Sequence, residues 1–487
     1  MAVNHLEVER KYDAGPDFVV PDLTGLPGVA GIGDPETHHL VATYFDTDDL
    51  RLASHGITLR RRRGGEDAGW HLKIPAGPDS KNELRAPLGR AQVVPARLAS
   101  LVAAYTRGKA LAPVATLETA RTVVRLVDGE GGALAEIADD AVTGRVVGDG
   151  DAQVWREIEV ELAAGDAALL KAAGKRLLKA GARKAESSSK LGRVLNGSIR
   201  RPVRGEPSGT AGEAVVSYLN DQVAAVLKWD PKARLGEDDA VHQMRVATRR
   251  IRSALQSYRA ILDRERTDPL RVELKRLADA LGEVRDLEVL RMRFTERLEQ
   301  LGETGPQSWL EEIGRQEATA YRRLNGTLKE PRYFALLDSL EALVTDPPLT
   351  ERAGRKAHKE LPGLVIRMWN KLGKAYEQID QAEDVDVARH ETRKAAKKAR
   401  YAADLARPVL GRPARRISES AKTVQEVLGG YQDGVIAMER LRAALDRTSS
   451  TSEAFTLGVL YGVEQCEAKA TIATLTETWN AIPEPSL

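Results

Sequence analysis

Two periodicities divide the chain. Up to about residue 200, apolar and polar side chains alternate in short runs, the period of two that marks β-strands. The runs are His5–Tyr12, His39–Asp46, Gly56–Arg63, Gly69–Pro75, Lys81–Ala86, Glu118–Val127, Gly132–Ala138 and Trp155–Leu162. Turn residues such as Gly64-Gly65, Ala76-Gly77-Pro78 and Gly129–Gly132 separate several of them. Pro95–Tyr105 and Asp166–Ala180 have the longer helical period. The pattern predicts about eight antiparallel strands with flanking helices, close to the number at which a barrel interior is filled by side chains or one ligand.

From Glu213 onward strand signals fade and long amphipathic helical runs take over. Asp268-Pro269, Gly305-Pro306, Glu330-Pro331, Asp346-Pro347-Pro348 and Arg407-Pro408 punctuate them, which predicts an all-α bundle of roughly eight or more helices. Asn196–Gly212, rich in Gly, Pro, Ser and Arg, has the composition of a linker. The expected organisation is a multidomain α+β chain with domains at 1–199 and 213–487 and a linker at 200–212.

The helical half repeats itself. His242-Gln243-Met244-Arg245 with Arg249-Arg250-Ile251-Arg252 aligns with His390-Glu391-Thr392-Arg393 and Lys397-Lys398-Ala399-Arg400 at an offset of 148 residues. Leu281-Gly282-Glu283-Val284-Arg285-Asp286 aligns with Leu428-Gly429-Gly430-Tyr431-Gln432-Asp433 at an offset of 147. Matches in register over two segments point to an internal duplication, with the halves related by a pseudo-two-fold axis.

Composition narrows the chemistry. Apolar residues make up 42% and charged residues 30% of 487 positions, enough for a sizeable core in each half. Net charge is +2, so any affinity for a polyanion must come from local clustering. The single cysteine, Cys466, excludes an internal disulfide, and the N-terminus has no signal-peptide pattern, so a cytoplasmic protein is expected.

The clustering is plain on the strands. Glu7, Glu9 and Lys11 share one face, and so do Glu157, Glu159 and Glu161. Five carboxylates gathered on two strands repel unless a cation lies between them, and oxygen-rich clusters suit Mg²⁺ or Mn²⁺. Arg60 with Arg62, His71 with Lys73, Glu83 with Arg85, and Arg121 with Arg125 form further one-face pairs, and Lys190 follows Ser187–Ser189. Alternating charge on one strand usually marks a solvated face. Nearly every strand here shows it, which favours a charged interior. Carboxylates on one wall and Arg/Lys on the others suit a triphosphate and its metal.

On the helices, His242, Arg245, Arg249 and Arg252 form one stripe, His390, Arg393, Lys397 and Arg400 form its counterpart, and Arg250 and Lys398 flank them. No acidic residue lies between Val241 and Arg259. A basic stripe repeated in register, histidine included, is read as a functional anion-binding surface.

Both halves resemble known families. Glu7-x-Glu9-x-Lys11, Tyr44-Phe45-Asp46-Thr47, Leu59-Arg60-Arg61-Arg62, Leu72-Lys73, Glu157–Glu161 and Ser189-Lys190 make the first half resemble the CYTH domain of the triphosphate tunnel metalloenzymes. The resemblance implies an eight-stranded tunnel that cleaves triphosphates with Mg²⁺ or Mn²⁺. Glu7, Glu9, Glu159 and Glu161, with Glu157 as a further candidate, would hold the metal. Lys11, Arg60, Arg62, Lys73, Arg121, Arg125 and Lys190 would grip phosphate oxygens, and Glu7, Glu9 and Lys11 carry the signature of the catalytic strand. Glu136 and one of Asp139 or Asp140 would complete the acidic wall, strand phase leaving both aspartates open. Lys81-Asn82-Glu83-Leu84-Arg85 departs from the family's Arg-x-Glu-x-Glu.

The second half resembles the CHAD domain through Val241–Arg245 with Arg249–Arg252, Gly282–Asp286, His390–Arg393 with Lys397–Tyr401, and Gly429–Asp433. That resemblance implies two packed four-helix bundles whose basic face binds inorganic polyphosphate. His242, Arg245, Arg249, Arg250, Arg252, His390, Arg393, Lys397, Lys398 and Arg400 are the candidates. Aromatics are 5% of the chain, too few near these stripes for single-stranded nucleic acid, and no membrane segment is expected.

The leading expectation is a metal-dependent triphosphatase acting on inorganic triphosphate or polyphosphate ends, associated with polyphosphate granules through its helical half. The alternatives are a non-catalytic polyphosphate-granule protein, a thiamine triphosphatase, or an adenylate cyclase.

Overall fold

The computed structural model describes residues 4–148, 151–195, 197–199, 209–303 and 305–487. It divides into two compact units, Met1–Val203 and Arg204–Leu487.

Among its described residues the first unit carries ten strands: β1 (Asn4–Ala14), β2 (Gly31–Ile32), β3 (Glu36–Asp46), β4 (Thr58–Arg63), β5 (Gly69–Gly77), β6 (Ser80–Ala86), β7 (Ala112–Val127), β8 (Ala133–Val146), β9 (Ala152–Leu162) and β10 (Arg183–Lys184). Eight pair in the order β1-β6-β5-β4-β3-β7-β8-β9, and β9 pairs back onto β1, closing an antiparallel barrel. The two-residue strands β2 and β10 add to β7 and β1. Helices of the described residues flank the ring: α1 (Arg51–Ser54), α2 (Ala96–Thr106), α3 (Ala167–Lys179) and α4 (Lys190–Val194).

The period of two decides which side of the wall is apolar. Tyr12, Leu126, Ile137, Ile158 and Val160 point outward and pack against Leu169, Leu170, Ala173 and Leu177 of α3. The main core of this unit therefore lies outside the ring. Each fully buried leucine of α3 stabilises the unit by roughly 1.5–3 kcal/mol. Inward-facing apolar residues are concentrated at one end, where Ala42, Tyr44, Ala115, Leu117, Val142 and Trp155 pack on Leu191, Val194 and Leu195. Helix α4 thus plugs that end. Ser189 starts it by accepting a hydrogen bond from the Gly192 N–H, which delivers Lys190 to the barrel interior.

The second unit is helical: α5 (Ala211–Leu235), α6 (Ala240–Ser257), α7 (Arg264–Gln300), α8 (Ser308–Thr327), α9 (Pro331–Thr345), α10 (Ala357–Glu377), α11 (Val385–Leu410), α12 (Arg412–Leu445), α13 (Thr451–Ala473) and α14 (Leu475–Asn480). Helices α5 to α9 pack among themselves, as do α10 to α14, and the two sets meet through α6 against α11 and α5 against α10 and α11.

Two expectations shift. Residues 200–208 of the expected linker lie outside the described residues, and its end is already helix, because Thr210 caps α5 while Gly209 N–H donates to Glu213. Pro269 and Pro408 do not end helices. Pro269 sits near the start of α7, where Asp268 is braced by Arg264 and Arg271, and Pro408 sits in the last turn of α11. No helix of the described residues is long and apolar enough to cross a membrane.

Candidate functional site

Inside the barrel the inward faces of the strands enclose a cavity of about 240 Å³. Glu7, Glu9, Lys11, Arg60, Arg62, Lys73, Arg121, Arg125, Glu136, Glu159, Glu161 and Lys190 all line it. Register explains the grouping. Glu9 lies opposite Glu161 and Lys11 opposite Glu159 across β1–β9, while Arg121 faces Asp140 and Arg125 faces Glu136 across β7–β8.

The carboxylates fall into two groups, Glu7–Glu9–Glu161 and Asp140–Glu157–Glu159, each with ligand atoms within 4.8 Å of one another. The second group is already neutralised. Lys190 Nζ lies 2.8 Å from Asp140, 2.8 Å from Glu157 and 2.7 Å from Glu159, Arg121 holds Asp140 (2.6 Å) and Glu159 (2.5 Å), and Lys11 also pairs with Glu159. Burial works against charge on Lys190, yet Asp140, Glu157 and Glu159 outweigh it and hold the ammonium above its ordinary range.

The first group is less satisfied. Glu9 accepts from Lys11 (2.9 Å) and Lys81 (2.7 Å), and Glu7 pairs with Lys73. Glu7 Oε2 is buried without a hydrogen-bond partner, and among the described residues Glu161 has no ion pair. Burial, then Glu7, Glu9 and Glu159, push the Glu161 carboxyl up to about 7. An orphaned carboxylate oxygen beside an uncompensated carboxyl is what an oxygen-seeking divalent cation would relieve, so these three residues fit one.

The cationic wall is equally crowded. Arg60 Nε and Arg62 Nε are buried without acceptors, and Arg60 donates to the Tyr44 hydroxyl at 3.3 Å. Burial and the neighbouring Arg60 and Arg121 push Arg62 down to about 9, although Asp67 pairs with it. His71, pushed down to about 4 by burial, is held by Glu83 at 2.8 Å.

Several placements differ from the sequence reading. Glu157 lies deeper, beside Lys190 and the Trp155 indole (2.6 Å), and not with Glu7 and Glu161. Asp140 is the inward aspartate, whereas Asp139 pairs with Arg156 at 2.7 Å outside the wall. Lys81 was missed as a site residue, although it sits opposite Glu7 across β1–β6. Its signal was the departure at 81–85, which replaces a family arginine by a lysine able to reach Glu9. Arg85 of the same stretch pairs with Glu83 at 2.6 Å.

In the helical unit the two stripes meet where α6 packs on α11. The Arg245 side chain lies over Gly282, where an added Cβ would sit 3.4 Å from its Nε, and 3.6 Å from Asp286. Arg393 lies over Gly429 and 3.6 Å from Asp433. The two Leu-Gly motifs are thus flat seats for arginines. Arg249 and Lys397 lie in the same field, and among the described residues neither has an ion pair. Burial, then Arg393, Arg249 and Arg245, push Lys397 down to about 7. Burial and Arg285 lower His242. The Nε atoms of Arg245, Arg249, Arg250, Arg389 and Arg393 are buried without acceptors.

The remaining candidates stand apart. Arg250 and Arg400 each sit 5.9 Å from the Tyr401 ring, Arg400 also reaching Gln425 at 3.3 Å. Arg252 faces Asp279 and Arg271, and Lys398 faces Lys394 and Lys371. His390 is exposed, while the adjacent Arg389 lies over the Tyr431 ring at 4.7 Å.

Residues 5–193 match the model of the CYTH domain and 217–442 that of the CHAD domain. Two uncharacterized proteins from strains of Mycobacterium tuberculosis, Rv2226 and MT2285, are 39% and 38% identical over 94% of this chain and 93% of each relative. Among solved structures, the chain is similar to the CHAD domain from the plant Ricinus communis (22% identity, 58% of this chain and 96% of that one, TM-score 0.47). It is also similar to HpAC1 from Hippeastrum, described as revealing a dominant triphosphatase activity (17% identity, 42% and 98%, TM-score 0.26). The chain belongs to the family in which a CYTH domain, the triphosphate tunnel fold of metal-dependent triphosphatases, is followed by a CHAD domain.

Proposed function

We propose that the barrel hydrolyses the terminal phosphoanhydride of inorganic triphosphate or of a polyphosphate end, and that the helical unit holds polyphosphate on its basic face. The observation that carries the reading is the division of the cavity. A cationic wall of Arg60, Arg62, Lys73, Arg121 and Lys190 faces a carboxylate group of Glu7, Glu9 and Glu161 with spare ligand atoms. Phosphoryl transfer needs positioning and neutralisation more than covalent help.

The chain's own side chains would do the following. The arginine forks bind non-bridging phosphate oxygens in pairs, and Lys11, Lys73 and Lys190 add point charges. Glu7, Glu9 and Glu161 would hold Mg²⁺ or Mn²⁺, which when bound supplies charge neutralisation and a more acidic water. The apolar plug on α4 keeps bulk water from the closed end. Water attacks the terminal phosphorus, its proton passes to a phosphate oxygen and on to solvent, the P–O bond to the bridging oxygen breaks, and the shortened chain departs as the cationic wall takes up its growing charge. Glu157 and Glu159, tied to Lys190, Lys11 and Arg121, would set the height of that wall and not ligate the metal first.

Among the described residues the rings lining the cavity are Tyr44 and His38, which offers no platform for a thiazolium or adenine and favours the inorganic substrate. In the helical unit Tyr401 is buried behind its arginines and cannot stack a base, which favours polyphosphate over single-stranded nucleic acid. Phosphate release from tripolyphosphate, thiamine triphosphate and ATP, each with and without Mg²⁺, tests this. Metal-dependent release fastest from tripolyphosphate is expected. Preference for an organic triphosphate would overturn the substrate, and no release from any would leave a binding protein.

A further inference from the structure

A second cavity, of about 680 Å³, adjoins the tunnel through the wall beside β1. Strand β1 pairs with β6 only as far as Val8–Ser80, and with β10 from Tyr12–Lys184. Between the two the wall parts, bridged by Glu9 N–H donating to the Asp79 carbonyl (3.0 Å) and Ala185 N–H to the Lys11 carbonyl (3.2 Å). The cavity occupies this notch, under the β5–β6 turn and against α3. Glu9, Lys11 and Lys81 line both it and the tunnel. They are the partition: Lys81 Nζ donates to Glu9 (2.7 Å) and to the Ser188 carbonyl (3.2 Å), and Lys11 donates to Glu9 (2.9 Å).

Charge in the notch is one-sided. Among the described residues, six cationic side chains, Arg10, Lys11, Lys81, Lys171, Lys175 and Lys184, face two carboxylates, Glu9 and Asp79, and both carboxylates are already paired. Lys171 and Lys175 stand one turn apart on α3 and are exposed, as is Lys184 on β10. Among the described residues none of these three has an ion pair. Elsewhere in the unit most inward cations have a carboxylate of their own, so this unpaired set leaves an anion-attracting field at the rim.

Because α4 plugs one end of the barrel, a chain with its end among Arg60, Arg121 and Lys190 can continue through the open mouth or sideways across the Glu9–Lys81 partition. We infer that the notch is a binding site for the following phosphates of a long inorganic polyphosphate, gripped by Lys171, Lys175 and Lys184. This rests on the tunnel reading above and extends it from tripolyphosphate to chains that pass through the wall. Moving Lys81 from Glu9 onto a phosphate would remove one of the two ammonium contacts that hold the partition.

The test uses the full chain carrying Lys171→Ala, Lys175→Ala and Lys184→Ala together, all at exposed positions. Phosphate release from tripolyphosphate is expected to stay within about twofold of wild type, as for surface substitutions. With a polyphosphate of tens of units, kcat/KM is expected to fall about tenfold, the loss of several partly screened charge-assisted contacts. The corresponding Lys→Arg variant should restore it. A second readout needs no turnover: long polyphosphate, but not tripolyphosphate, should protect the three lysines of wild type from acetylation, measured by mass spectrometry. Equal losses on both substrates, no loss on either, or unprotected lysines would overturn the inference. Protected lysines in a protein that cleaves neither substrate would remove the hydrolytic reading and leave the notch as a binding site.

Discussion

The barrel and the helical face both concentrate cations, but they treat them in opposite ways. In the tunnel most cations have carboxylate partners: Lys190 with three, Arg121 with two, Lys11 with two. Burial works against charge on Lys11, Arg121 and Lys190, and the carboxylates still hold all three above their ordinary values. On the helices Arg245, Arg249, Arg393 and Lys397 face one another with two aspartates at 3.6 Å, and Arg245, Lys397 and His242 are lowered. A site neutralised from within keeps its geometry without ligand, which positioning chemistry requires. A site left unneutralised gains most from a polyanion, and binds it with a steep dependence on salt.

That contrast is sharpest in Glu9→Ala. Loss of one member of the metal-fitting group should lower metal-dependent phosphate release by about 10²–10³-fold, the scale of removing one preorganised electrostatic contact. Polyphosphate retention by the helical unit should be unchanged. Activity equal to wild type would show that the barrel's carboxylates are not the working group. Reversing Arg245, Arg249, Arg393 and Lys397 to glutamate should do the converse. Polyphosphate affinity should drop about a hundredfold at low salt, and the slope of log K against log salt should flatten by about 3, while tripolyphosphate hydrolysis persists. An unchanged slope would move the binding surface elsewhere.

The smallest effect concerns pH. Lys397, at about 7 in the free protein, must be charged to meet phosphate, so binding draws a proton onto it. Affinity should fall as pH rises through 7, by about five- to tenfold between pH 6 and 8, and Lys397→Arg should flatten the profile. Linkage has the opposite sign for the free fold. A lysine depressed in the folded state destabilises it below pH 7, and that penalty fades as pH climbs towards the unfolded value, so thermal stability without ligand should rise over that window. Identical profiles for wild type and Lys397→Arg would rule out this group as the source.

The charged interior was legible because a closed ring gives each strand one inner face, so Glu7, Glu9, Lys11, Arg60, Arg62, Lys73, Arg121 and Arg125 could be assigned by alternation, while Lys190 came from the Ser189-Lys190 motif. What alternation cannot give is the height of a residue along the axis, which depends on register between strands far apart in sequence. That is why Glu157 separates from Glu161, and why the contact of Lys81 with Glu9 could not be read from the departure at 81–85 alone. Asp139 and Asp140 stayed open because the alternating signal fades after Ala138, whereas β8 runs on to Val146. The plug α4 has five residues, too few to show a helical period, and its start was seen only as the Ser189-Lys190 motif. In the helical unit the stripe was legible and its dispersal was not. Arg250 and Arg400 turn to Tyr401, and His390 turns to solvent, because neighbouring helices decide which side of a stripe is covered.

The most direct measurement is diffraction from crystals soaked with Mn²⁺ and tripolyphosphate, recording the anomalous signal of the ion. The account requires an ion ligated by Glu7, Glu9 and Glu161, with the phosphates reaching from it to Arg60, Arg121 and Lys190. An ion bound outside the barrel, or phosphates held only on the helical face with the tunnel empty, would contradict it.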